Sequence, residues 1–218
     1  MSYPKSTLAI AALMSLFAAQ TASATDISPR VGVSGVWWNT GEKGEGAVGG
    51  GAHAGTTITF DQAFLDLNVE TMQFSVRKPT NTGLATDQTA GWRSEASVAA
   101  GIPVWNTFSV FGGYRLVNYG TDIGSSNAAT MSGVFAGVAL SSLSMPGDDK
   151  NLFSIAFAIQ PTEFKAKNGN AETDVGVSIK LGYRRAGSPH GMAIRYQSFG
   201  GDKTYSEYST TLQYSYSF

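Results

Sequence analysis

The chain closes on Tyr208-Ser209-Thr210-Thr211-Leu212-Gln213-Tyr214-Ser215-Tyr216-Ser217-Phe218. Side chains of an extended strand alternate between its two faces. By that parity Tyr208, Thr210, Leu212, Tyr214, Tyr216 and Phe218 share one face, and Ser209, Thr211, Gln213, Ser215 and Ser217 share the other. One wall is aromatic and apolar, the other small and polar. The last aromatic is the carboxyl-terminal residue itself.

The same two-residue period runs back through the chain. Val175, Val177, Ile179, Leu181 and Tyr183 oppose Asp174, Gly176, Ser178, Lys180 and Arg184. Met192, Ile194 and Tyr196 oppose Ala193, Arg195 and Gln197, and Phe153, Ile155, Phe157 and Ile159 oppose Ser154, Ala156, Ala158 and Gln160. Further strands read over 30–38, 47–60, 64–78, 92–101, 108–117 and 131–143. Within 64–78 the apolar parity shifts from Leu65, Leu67 and Val69 to Met72, Phe74 and Val76. One inserted residue would do this, so a β-bulge is expected near Thr71. The Gly/Ala-rich half of 47–60 has little parity to read. Gly44 to Gly49 matches G-x-G-x-x-G, but no helix pattern follows, so it is no dinucleotide fingerprint. Polar stretches at 79–90, 120–129 and 161–171 read as loops. Those at 61–62, 103–106, 145–151 and 187–191 read as turns.

An aromatic last residue preceded by alternating apolar positions resembles the closing strand of Gram-negative outer-membrane β-barrels. The resemblance implies an all-β, antiparallel up-and-down transmembrane barrel of ten strands, with eight as the alternative. Both counts are even, as in single-chain bacterial barrels. It also implies that Leu212, Tyr214, Tyr216 and Phe218 are the membrane-insertion signal read by the barrel-assembly machinery. Outer-membrane lipid and lipopolysaccharide would be the surroundings of the barrel.

The amino-terminal 24 residues read as a secretory signal: Lys5, an apolar run of about twelve residues from Leu8 to Ala19, and Ala22-Ser23-Ala24 as cleavage site. That run is too short to cross a bilayer as a helix. Residues 25–218 are then the barrel, exported through the periplasm to the cell outer membrane.

Charged residues are 14% of the chain, about half the usual share, and glycine numbers 26. Lys and Arg together number 15 against 16 Asp and Glu, with no concentrated basic patch, which argues against nucleic acid as a partner. There is no cysteine, hence no disulfide frame and no thiolate metal site. No His/Asp/Glu cluster has metal-ligand spacing, and no cofactor is implied. The two histidines, His53 and His190, make a poor case for catalysis. Arg195-Tyr196-Gln197-Ser198 resembles the His-x-Ser segment of lipid A deacylase barrels, but Tyr196 stands where the base would be, leaving Ser198 unactivated.

With the apolar faces outward, Asp66, Glu70, Arg93, Glu95, Arg115, Asp174, Lys180, Arg184, Arg195 and Glu207 fall in the lumen. Desolvated charges must pair, so ion pairs across the lumen are expected. The tryptophans and tyrosines near strand ends read as interfacial girdles. The function expected is structural, or that of a narrow pore for small solutes, and not that of an enzyme. A surface-binding barrel acting through its external loops is the alternative, and a lipid-modifying enzyme the more distant one. Partners within an oligomer cannot be read from the chain.

Overall fold

The computed structural model describes residues 26–40, 46–77, 88–120, 129–145, 148–166, 171–199 and 207–218. The signal segment read over 1–24 lies outside them. The described residues form ten strands: β1 (Asp26–Thr40), β2 (Gly46–Phe60), β3 (Ala63–Arg77), β4 (Gln88–Pro103), β5 (Phe108–Gly120), β6 (Ala129–Met145), β7 (Asp148–Ala166), β8 (Ala171–Arg185), β9 (His190–Phe199) and β10 (Glu207–Ser217). Each pairs antiparallel with its neighbours in sequence, and β1 pairs with β10, so the sheet closes with no free edge. Closure satisfies every strand edge, which is what allows a sheet to stand in lipid. The count is ten, not eight. Even the shortest strand, β9, has 10 residues and is long enough to cross the hydrocarbon layer, which takes about 9–11.

The closing strand behaves as its parity requires. Leu212, Tyr214, Tyr216 and Phe218 point outward and are exposed, while Ser209, Thr211 and Gln213 are buried in the lumen. The seam runs in unbroken register from Arg30↔Ser217 to Thr40↔Glu207. Its end is fastened on both sides, by Phe218 N–H to Pro29 C=O at 3.0 Å and Ser217 N–H to Pro189 C=O at 2.8 Å. Outward residues on the other strands, such as Val33, Val69, Val138, Ile159 and Ile194, make a broad exposed apolar wall. Such a surface is far too extensive for a protein standing in water and matches a lipid-facing band.

The strands are joined at two unlike ends. The turn end holds the hairpin at 61–62, the connections at 104–107 and 186–189, and both Asp26 and Phe218. At the opposite, loop end, β1, β5 and β9 finish at Thr40, Gly120 and Phe199. Gly187 turns the 186–189 connection with φ +72°, a conformation that L side chains adopt at a cost. At the start of β7 the Asn151 amide donates to Asp148 at 2.5 Å, and this hydrogen bond holds the exposed Asp148 carboxyl below its usual range.

Three sequence expectations are corrected. No bulge occurs at Thr71: β3 keeps one register against β2 and one against β4 along its whole length. Thr71 and Gln73 stay outward, and Met72 turns inward, 1% exposed, against Val36, Trp38 and Ala47. The apolar residue that seemed to mark a parity flip is a lumen residue. Second, residues 161–166 are strand rather than loop. Pro161 sits in β7 opposite Val175, and Gly133–Phe135 on the other side have no ladder partner there, which spares the missing proline N–H. Third, residues 148–151, expected in a turn, are strand, and the pairing of β6 with β7 slips between Leu140 and Leu143 around Ser142 at φ +57°.

Candidate functional site

The lumen is layered along the barrel axis. At the loop end it carries two apolar clusters beside buried polar side chains such as Thr162, Gln197 and Ser209. Val36, Trp38, Ala47 and Met72 form one buried cluster, and Val117, Tyr119, Met131 and Phe199 another. These residues stand on the inward parity of β1, β2, β3, β5, β6 and β9, so the upper lumen is packed side chain against side chain.

Below it lies a charged septum. Arg195 of β9 reaches Glu70 of β3 through its Nη2, and Glu95 of β4 through its Nη1 at 3.2 Å. In the closed order, β9 and β4 are five strands apart in a ring of ten, so the second contact spans the full diameter. Arg115 of β5 approaches Glu95 at 3.2 Å, and Arg93 does so at 2.8 Å. Both cations neutralise one carboxylate. All five side chains are buried. Glu70 is further held by Ser34 Oγ–H at 2.6 Å and the Gln213 amide at 3.0 Å. Arg115 also donates to Gln160 Oε1 at 3.0 Å and lies over the Phe135 ring, 5.3 Å from its centroid. Arg93 lies 5.8 Å from the Tyr119 ring centroid.

Burying charges is costly unless they are paired and hydrogen-bonded. Here each carboxylate meets two or more donors or cations. The septum is a plug of paired charges built from β1, β3, β4, β5, β7, β9 and β10.

His53 completes the layer. Its Nδ1 lies 3.0 Å from Ser34 Oγ, and Ser34 gives its own proton to Glu70. Ser34 can donate only once, so His53 Nδ1–H must be the donor in that contact. A serine, a histidine and a glutamate thus meet, but in the wrong order for nucleophilic catalysis. The histidine does not take the serine proton, and the carboxylate that holds it is already spent on Arg195.

At the turn end the lumen opens into a cavity of about 440 Å³. Arg30 pairs with Asp66 at 2.9 Å on its wall, and both bond the Thr57 hydroxyl. Lys180 and Arg184 of β8 also line it, with no ion pair among the described residues. Of the ten charged residues assigned to the lumen by sequence, the septum holds Glu70, Arg93, Glu95, Arg115 and Arg195, and the cavity wall holds Asp66, Lys180 and Arg184. Asp174 stands apart near the loop end, its carboxylate accepting from the Val175 N–H at 2.6 Å. The side chain of Glu207 lies outside the described residues.

Ser34, His53, Gln160 and Gln213 were not among the sequence candidates, nor was Arg30. Parity could have found them. Val48 and Ile58 both face out, which puts His53 inside. Among the described residues no His/Cys/Asp/Glu group could hold a metal ion.

No family model and no curated protein matches the chain. Several solved structures do. The outer membrane protease OmpT of Escherichia coli superposes with a TM-score of 0.51 at 10% identity, over 91% of this chain and 99% of that one. The β domain of the Bordetella autotransporter BrkA gives 0.47 at 12% identity, over 88% and 99%. Ail, the attachment invasion locus protein of Yersinia pestis, solved with the heparin analogue sucrose octasulfate, gives 0.34 at 11%, over 88% and 97%. At such identities the OmpT likeness is one of fold. Together with the closed antiparallel sheet and its exposed apolar wall, it defines the class: the chain is a small β-barrel of the cell outer membrane.

Proposed function

We propose that this barrel is a structural, non-enzymatic element of the outer membrane whose lumen is closed rather than a pore for small solutes. The observation that carries this reading is the diametric contact from Arg195 to Glu95, at the centre of a buried septum and backed by apolar packing. A water path would have to break paired, desolvated charges. Single-channel recording of the refolded chain tests the reading. A surface-binding role through the loop-end segments rests on residues outside those described, and no described residue favours it.

We also infer that Leu212, Tyr214, Tyr216 and Phe218 are read by the assembly machinery. Their support is position: all four face outward on the strand that closes the seam. Deleting Phe218 is expected to lower severalfold the folded barrel recovered from cells, scored by heat-dependent gel shift. Refolding of the same chain in detergent is expected to proceed as in wild type. If refolding failed equally, Phe218 would be a structural clasp and no signal.

A further inference from the structure

The turn-end cavity is roomy because many inward positions on one side of the barrel wall are small. The inward positions there are Ser154 and Ala156 on β7, Gly182 on β8, Gly191 and Ala193 on β9, and Ser215 on β10. A barrel of about eight strands is filled by its own side chains, and two more strands widen it. With residues this small the extra room stays open.

The cavity is also cationic beyond its own needs. Five cationic side chains line it, Arg30, Arg115, Lys180, Arg184 and Arg195, against two carboxylates, Asp66 and Glu95. Arg30 is spent on Asp66, and Arg115 and Arg195 on Glu95. Lys180 and Arg184 remain. They stand four residues apart on the inward face of β8, about 13 Å along the strand. Both are exposed although they point inward, so they face the open space of the cavity.

The position of Lys180 is the telling one. It is the register partner of Arg195 on β9, so two cations stand directly opposite on neighbouring strands. Like charges so placed destabilise a sheet. Arg195 has its carboxylates on the septum side; Lys180 has none within ion-pair distance among the described residues. Its other register neighbour, Ala156, offers no compensation.

We propose that this cavity is a binding site for a small free oxyanion of the phosphate class, held by Lys180 at depth and by Arg184 nearer the mouth. A phosphate accepts from several donors at once and would relieve the Lys180–Arg195 repulsion. The inward hydroxyls of Ser154 and Ser215 offer further donors on the same wall. Septum residues Glu95, Arg115 and Arg195 line its floor, so the site is reached from the turn end. The site does not depend on the lumen being non-conducting.

The test is calorimetric titration of the refolded full barrel, in lipid-free non-ionic detergent, with inorganic phosphate and then glycerol phosphate. Saturable binding at one per chain is expected. Lys180→Met is expected to weaken it at least tenfold and Arg184→Met severalfold, with the heat-dependent gel shift confirming that each variant is folded. Ala193→Phe keeps every charge and fills the cavity, and it is expected to abolish binding. Three results would overturn the proposal. One is the absence of saturable binding to either phosphate. Another is binding unchanged in both Lys180→Met and Ala193→Phe. The last is binding that appears only when phospholipid is added, which would make the ligand a lipid headgroup instead of a free solute.

Discussion

Replacing Arg195 by methionine is expected to destabilise the barrel by about 3–5 kcal/mol, the usual cost of removing one partner from a buried ion pair. Arg195 touches both Glu70 and Glu95. Glu95 keeps Arg93 and Arg115 after the change, but Glu70 keeps only the neutral donors Ser34 and Gln213. The loss therefore falls on Glu70, a charge left buried without a counterion. Urea unfolding of the barrel in lipid vesicles measures it, as a lower midpoint at unchanged slope. The double variant Arg195→Met with Glu70→Gln is expected to recover most of the loss, because it removes the stranded charge along with its partner. Arg30→Met supplies the contrast. Its ion pair with Asp66 is part-exposed, with side chains 20% and 31% accessible, and is worth at most about 1 kcal/mol. If Arg195→Met were as mild as Arg30→Met, the septum would be wet and the pairing weak.

The second large effect is expected on the outer face. Ile194 lies midway along β9, points outward and is 49% exposed. Its register row runs through Leu212 on one side and Leu181 on the other, both outward and exposed. An arginine at such a depth costs about 2–4 kcal/mol in a transmembrane barrel, whereas near an interface the cost falls to about 0–1. Ile194→Arg is thus expected to be strongly destabilising in vesicles, and Tyr216→Arg at the turn end mild. A depth-dependent difference is the signature of lipid. Equal, small effects at both positions would mean that this face stands in water.

The barrel was legible in the chain because lipid outside and polar lumen inside write a two-residue period into nearly every strand. The closing strand shows it most plainly, and its outward aromatics lie where parity puts them. The same rule also carried most of the charged lumen. It failed where its assumption failed, which is that apolar means outward. Apolar side chains also pack in the loop-end lumen, so Met72 reads as a parity flip although it faces in, like Val36, Val117 and Phe199. His53 is harder to place, because its immediate neighbours are glycine and alanine and only the more distant Val48 and Ile58 set its parity. Pro161 read as a loop because proline donates no ladder bond, yet a local gap in the opposite strand accommodates it. Which charge meets which could not be read at all. Parity assigns a face, but a contact such as Arg195 to Glu95 depends on depth in the barrel and on closure of the ring.

In this reading a buried layer of paired charges closes the lumen. Single-channel recording in a planar bilayer tests it most directly, on wild-type chain whose folding is first verified by its heat-dependent gel shift. A silent membrane is expected at every applied voltage up to the breakdown of the bilayer. Reproducible discrete conductance steps from the folded wild-type barrel would contradict it, and would show that the septum around Glu95 lines a water path.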